Sequence, residues 1–380
     1  MDTYEDGSTA SFDGQKNLET LKSLQKNTNW EIVDERRKFI RQVYPIIKQW
    51  NRRSSPNVQD VFRAEDVERL AMDYINFTSS IYRDKEYVRE IEEFIVFLCI
   101  TDYKDEPKLN GDGKPSSRRT TPVHHAAKQD RDLVGQLFEI YNRYDVNYTD
   151  ESGLSHFHVV CMYGQYQEIK KFLEFGHDPN CLWSETGDSP LGLAVLGSCT
   201  KHVVELLLRS GANPNLPNKE GLNLLHIISK KFRTQFIEVP DVPKILFEIS
   251  DELNQSLQID ARDEFGNTPL HLAVLNDNVY VTEMLLRRGA NPNSANDEGS
   301  TPLHLFYMRK CSYYDIGSVE FFFKICDELN HLIQTPIYTC SSRTARGGAR
   351  RYEILARAPS AAATSRIAAI WVFRTLRVPL

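Results

Sequence analysis

The apolar residues of this chain fall at helical spacing in short stripes, and the stripes recur. Val281, Met284, Leu285 and Leu286 mark one face of a predicted helix that stops at Gly289-Ala290-Asn291-Pro292-Asn293. Val203, Val204, Leu206, Leu207 and Leu208 do the same ahead of Gly211-Ala212-Asn213-Pro214-Asn215. In both places Gly supplies the positive φ that closes a helix C-terminus. A second, shorter element lies between such stripes: Thr268-Pro269-Leu270-His271-Leu272-Ala273 returns as Thr301-Pro302-Leu303-His304-Leu305. A Thr-Pro pair opens a helix where no N–H needs a partner, so the pattern predicts a short inner helix followed by a longer outer one.

The Pro position of this pattern passes through Pro122, His156, Pro190, Leu224, Pro269 and Pro302, in steps of 34, 34, 34, 45 and 33 residues. A period near 33 predicts stacked helical units, none of which buries its apolar face alone. These residues resemble ankyrin repeats, in which two antiparallel helices are followed by a finger-like turn. The resemblance implies an all-α solenoid of about six repeats over residues 119–335. The extra length of the fourth repeat lies around Lys230 to Val242, where Pro240 and Pro243 bracket a loop. Ile249-Ser250-Asp251-Glu252-Leu253-Asn254 reappears 76 residues later as Ile325-Cys326-Asp327-Glu328-Leu329-Asn330, so the sixth repeat should copy the outer helix of the fourth.

Residues 1–104 also read as helical. Phe39, Ile40, Val43 and Ile47 form one stripe, Val67, Leu70, Ala71 and Tyr74 a second, and Tyr87, Ile91, Phe94 and Leu98 a third. This segment is expected to be a capping domain on the first repeat, with an independent docking domain as the alternative. Residues 105–118, rich in Gly, Lys, Pro and Ser, read as a flexible linker. From residue 336 the chain changes character. Residues 341–380 hold eight Arg, one Glu and no Lys, and are expected to be an atypical, poorly ordered tail, the product of an alternative exon, a retained intron or a shifted frame. Arg343, Arg346, Arg350 and Arg351 would give nucleic acid only nonspecific affinity, and the apolar run 367–373 is too short to span a bilayer.

With 41% apolar residues the chain can bury a core, and its net charge of −6 deepens to −13 once the tail's eight Arg and one Glu are set aside. Seven cysteines without a C-x-x-C pair argue against a disulfide framework and a zinc site. The acidic start, Met1-Asp2-Thr3-Tyr4-Glu5-Asp6, does not read as a secretory signal, so cytoplasm is expected, with the nucleus as alternative. Asn76 and Asn147 sit in glycosylation patterns taken as chance matches. No phosphate-binding loop, nucleophile elbow, H-E-x-x-H or paired-carboxylate setting occurs, so no enzyme, cofactor, metal or small-molecule substrate is expected. His124-His125 and His156-x-His158 look like ligand pairs. Yet His124, His158, His226, His271 and His304 share one repeat position, where a histidine bonds neighbouring groups and is structural.

The ankyrin resemblance implies that a protein partner lies against the fingers and inner helices. The expected contact residues are Asp150, Glu151, Trp183, Glu185, Lys219, Asp263, Glu264, Phe265 and Asp297, a mostly acidic set suited to a basic segment. Trp183 and Phe265 are the expected anchors, with Trp183 folded back over its neighbouring loop as the alternative. The segments around Arg118–Ala127 and Asp145–Val159 further resemble the expanded ankyrin families of parasitoid wasps. Some of those end in a poxvirus-like, F-box-related module, which is not seen here. The implied role is a scaffold or adaptor. The alternatives are masking of a transcription factor, as inhibitory ankyrin proteins of the NF-κB system do, a shortened ubiquitin-ligase adaptor, or a truncated product exposing Phe321, Phe322 and Phe323.

Overall fold

The computed structural model describes residues 8–50, 57–59, 61–78, 85–107, 109–111, 113, 115–128, 131–197, 201–231, 242–308, 315–333, 339–343 and 349–353. The protein is an all-α repeat structure of the solenoid class that divides into two compact units, Met1–Ser210 and Gly211–Leu380.

The first unit opens with α1 (Ser8–Asn27), α2 (Val33–Ile47), α3 (Ala64–Thr78) and α4 (Lys85–Ile100). Phe39, Phe62 and Phe94 meet edge to face at the centre of this layer, with ring centroids 5.3–6.2 Å apart. Buried Asp73 takes two hydrogen bonds from Arg36, at 2.7 and 2.8 Å. Three helix pairs follow: α5 (Pro122–Ala126) with α6 (Arg131–Ile140), α7 (His156–Met162) with α8 (Tyr166–Glu174), and α9 (Pro190–Leu196) with α10 (Lys201–Arg209). Inner helix packs on inner helix, α5 on α7 and α7 on α9, while α8 packs on α10. The N-terminal layer joins this stack directly, α3 against α5 and α4 against α6.

The second unit repeats the scheme with α11 (Leu224–Lys230), α12 (Val242–Glu252), α13 (Pro269–Leu275), α14 (Val279–Arg287), α15 (Pro302–Met308) and α16 (Asp315–Glu328). The sixth repeat does copy the fourth. Asn254 and Asn330 close α12 and α16 in left-handed conformations, φ 53° and 55°, 76 residues apart. The expected loop insertion, residues 232–241, lies outside the described residues, as does most of the chain after 333. There, β1 (Thr339–Arg343) and β2 (Ala349–Glu353) pair antiparallel, with Ser341 opposite Arg351.

Two expectations are corrected. Phe322 and Phe323 are buried in α16 rather than displayed, and Phe322 packs on Phe306 with centroids 5.5 Å apart. The segment 105–118, expected as a flexible linker, is held at its two ends. Asp105 is 2% exposed and bound by Arg119, and Thr149 donates its N–H to the Ser117 carbonyl at 2.8 Å. Composition alone could not show this, because Gly, Pro and Ser serve tight turns as well as loose linkers.

The fingers require glycine for a second reason besides φ. A Cβ on Gly221 (φ +76°) would come within 2.9 Å of the Glu264 nitrogen and 3.0 Å of the Asp263 backbone, both in the next finger. Gly221→Ala is therefore expected to cost about 1–3 kcal/mol in urea unfolding, from strain and finger displacement together. A change under about 0.5 kcal/mol would contradict the close stacking of these fingers.

Candidate protein-binding surface

Five of the six inner helices begin with a polar cap that binds the histidine three residues on. The backbone N–H of Thr121, Ser155, Asn223, Thr268 and Thr301 donates to Nδ1 of His124, His158, His226, His271 and His304 at 3.0–3.2 Å. The opposite nitrogen, Nε2, then donates to a carbonyl of the following finger: Tyr148 from His124, Cys181 from His158, Asn267 from His226 and Ser300 from His271. One imidazole thus ties a helix start to a finger, and both ring nitrogens are occupied by this work. Burial lowers the pKa of each of these histidines, so they stand neutral, which this donor–acceptor pattern requires. The third repeat lacks the histidine and caps its helix with Ser189, which accepts from the Gly192 N–H.

The finger tips are shaped by a second recurring device. Asp150, Asn218, Asp263 and Asn296 each accept, on one side-chain oxygen, the N–H groups two and four residues ahead, at 2.7–3.1 Å. This corrects two expected contact residues. Asp150 and Asp263 are 6% and 9% exposed, and their carboxylates are consumed in closing the turn. Trp183 is also corrected. It holds the turn-closing place in a finger one residue longer, is half-buried, and its indole Nε1 donates to Ser152 Oγ of the preceding finger at 3.1 Å. The fold-back alternative describes it.

The remaining tip residues reach solvent. In the first unit these are Glu151 and Glu185, with Leu182 45% exposed next to Trp183. In the second they are Lys219, Glu264, Phe265 and Asp297. Glu220 and Leu182 are exposed members that the sequence reading passed over; counting from the turn-closing residue to the finger Gly would have found Glu220. Asp297 pairs with Arg262 at 2.9 Å and Glu220 with Lys230 at 3.5 Å, whereas Glu264 and Glu298 have no ion-pair partner among the described residues. Phe265 is 62% exposed while its backbone is held on both sides: its N–H donates to Asp263 Oδ1 at 2.9 Å and its carbonyl accepts from Asp297 at 3.1 Å.

Cys181 Sγ lies 3.5 Å from His158 Nε2, an approach that resembles a nucleophile and its base. Burial pushes the Cys181 thiol up to about 12, and His158 Nε2 is already spent on the Cys181 carbonyl. Among the described residues no group of three His, Cys, Asp or Glu is placed to hold a metal ion. No described helix is long and apolar enough to cross a membrane.

The profile described as ankyrin repeats matches three times, at residues 123–218, 198–296 and 244–318, together just over half of the 380-residue chain. The chain belongs to the ankyrin-repeat family. It is 29% identical over 155 residues to SH3 and multiple ankyrin repeat domains protein 2 of Homo sapiens, covering 40% of this chain and 8% of that protein. It is 25% identical over 197 residues to neurogenic locus notch homolog protein 1 of Xenopus tropicalis, covering 52% and 7%. Over 152 residues it is 29% identical to transient receptor potential cation channel subfamily A member 1 of Homo sapiens, covering 39% and 12%. The ankyrin chain therefore spans 12% or less of these relatives, and the similarity is that of the repeats. Ankyrin repeats are in general protein–protein interaction modules.

Proposed function

We propose that this ankyrin protein is a non-catalytic scaffold or adaptor that binds a polypeptide partner on its finger tips, with Phe265 as the apolar anchor. The carrying observation is that Phe265 is exposed although its backbone is fixed at both ends. An aromatic side chain presented from a rigid turn loses little conformational freedom on binding, which is the economy of a hot-spot residue. Glu264 and Glu298 flank it without ion-pair partners among the described residues and favour a partner with basic residues, chiefly by steering its approach. The same feature supports, as a second reading, the covering of a basic nuclear-localisation segment.

Phe265→Ala is the test, made by capture from lysate with the full chain and mass spectrometry of what is retained. The melting temperature should stay within about 1 °C, because an exposed side chain contributes little to folding, while the retained partner is lost by tenfold or more. Retention by the wild-type chain should also weaken steeply with added salt if the partner segment is basic. Undiminished capture by the alanine variant would reject the Phe265 anchor.

A further inference from the structure

We infer that the described residues between 57 and 115 belong to a further, divergent ankyrin repeat ahead of the six visible in the sequence, whose described finger residues 109–111, 113 and 115 add to the partner-facing edge of the first unit. Three independent correspondences carry this.

The first is the finger itself. Leu109 pairs antiparallel with Pro115, the same separation as Thr149 with Ser155. The Gly113 N–H donates to the Asn110 carbonyl at 3.0 Å, as Gly153 does to Asp150, Gly221 to Asn218, Gly266 to Asp263 and Gly299 to Asn296, at 2.9–3.1 Å. Gly113 also has φ +72°, against +73° to +85° at those four glycines. The turn at Asn110 lies eleven residues before the Thr121 cap, where Asp150, Asn218, Asp263 and Asn296 lie five before theirs, so the return from this finger is six residues longer.

The second is the end of α4, which matches the ends of the elongated outer helices α12 and α16. Asp102 is left-handed at φ 56°, as Asn254 and Asn330 are at 53° and 55°. The next N–H in each case reaches back five residues, Tyr103 to Leu98, Gln255 to Ser250 and His331 to Cys326, at 2.8–3.0 Å.

The third is a side-chain amide from the turn before the inner helix. Gln59 Nε2 donates to the Lys104 carbonyl at 2.8 Å, as Asn215 does to Ser256 and Asn293 to Leu332, at 2.7 and 2.6 Å. Each acceptor lies two residues past the left-handed one. With α3 packing on α5 and α4 on α6, the arrangement is inner on inner and outer on outer.

The repeat escapes notice in the sequence because its inner helix carries no Thr-Pro-x-His. Asp66 stands where the histidine would be, fully buried and held by Arg63 at 2.8 and 2.9 Å. Its finger presents Leu109, 65% exposed, beside exposed Asn110 and Gly111, ahead of the acidic tips Glu151 and Glu185. The edge of the first unit therefore fits a polypeptide in which an apolar residue accompanies the basic segment; this clause alone rests on the binding role proposed above.

The repeat is tested in the full chain by Gly113→Val beside Gly111→Val. A Cβ meets nothing within 4 Å at either position, so only the positive φ of Gly113 separates them. Gly113→Val should lower the melting temperature by several degrees and Gly111→Val should leave it unchanged. Replacing residues 109–115 by the sequence of residues 149–155 should preserve melting, whereas seven residues of Gly and Ser should lower it. If all four variants melt like the wild type, the segment is a tether and the repeat is refuted. For the edge, Leu109→Asp should reduce capture of the partner retained by the wild-type chain with melting unchanged, and undiminished capture overturns that clause. Should the wild-type chain retain no partner, the binding role fails while the melting comparison still decides the repeat.

Discussion

Arg119→Met is expected to cost the first unit about 3–5 kcal/mol, the usual loss when one partner of a buried ion pair is removed. Arg119 Nη1 bonds both Asp105 oxygens, at 3.0 and 2.9 Å, and Nη2 bonds Glu68 at 2.7 Å. Its side chain is 13% exposed and that of Asp105 only 2%. Burial lifts the Asp105 carboxyl above its usual range, and Arg119 and the Tyr148 hydroxyl pull it back only in part. Either charge left alone in this buried setting is costly. Replacing both, Arg119→Met with Asp105→Asn, should recover most of the loss in urea unfolding, since no unpaired buried charge remains. A double variant as unstable as the single one would show that Arg119 acts through packing and Glu68 instead.

Acid is expected to destabilise both units well before the carboxylates titrate. His124, His156, His158, His226 and His271 are buried, and burial holds every one of them below the ordinary value of 6.5, His124 down to about 4. The unfolded chain then takes up protons that the native chain refuses, so their contribution is whole above pH 6.5 and declines as pH falls. For His124 the decline continues to about pH 4. Each such histidine costs up to about 1.4 kcal/mol per pH unit within its window. The urea midpoint should therefore fall steadily between pH 7 and 5. His271→Gln should lower the neutral-pH midpoint and flatten the slope by about one proton. A midpoint independent of pH over this range would mean that these imidazoles are protonated in the native state, contrary to the bonds drawn for them.

Much of the architecture was legible because its signals are local. Thr-Pro needs no partner to open a helix, and a Gly at positive φ ends one wherever it stands. The shared position of His271 and His304 identified a structural histidine, although the finger carbonyl it reaches could not be named. The candidate surface was less legible. Asp150 and Glu151 are adjacent acids in one finger, yet the first closes the turn and the second meets solvent. An Asp suits either role, and only the direction of its side chain decides. Trp183 belongs to the same class of ambiguity, since its fate depended on Ser152 of another finger, 31 residues away.

By itself the sequence determined that this is a repeat protein of paired helices and glycine-bearing fingers, because helix caps, helical stripes and left-handed turns are set within a few residues of chain. Tertiary structure decided which polar residues are spent inside, that Asp105 and Ser117 are held, and that Phe265 is exposed where Trp183 is half-buried. Those outcomes depend on contacts between successive repeats, where the distance in space is a few ångströms and the distance along the chain is about thirty residues.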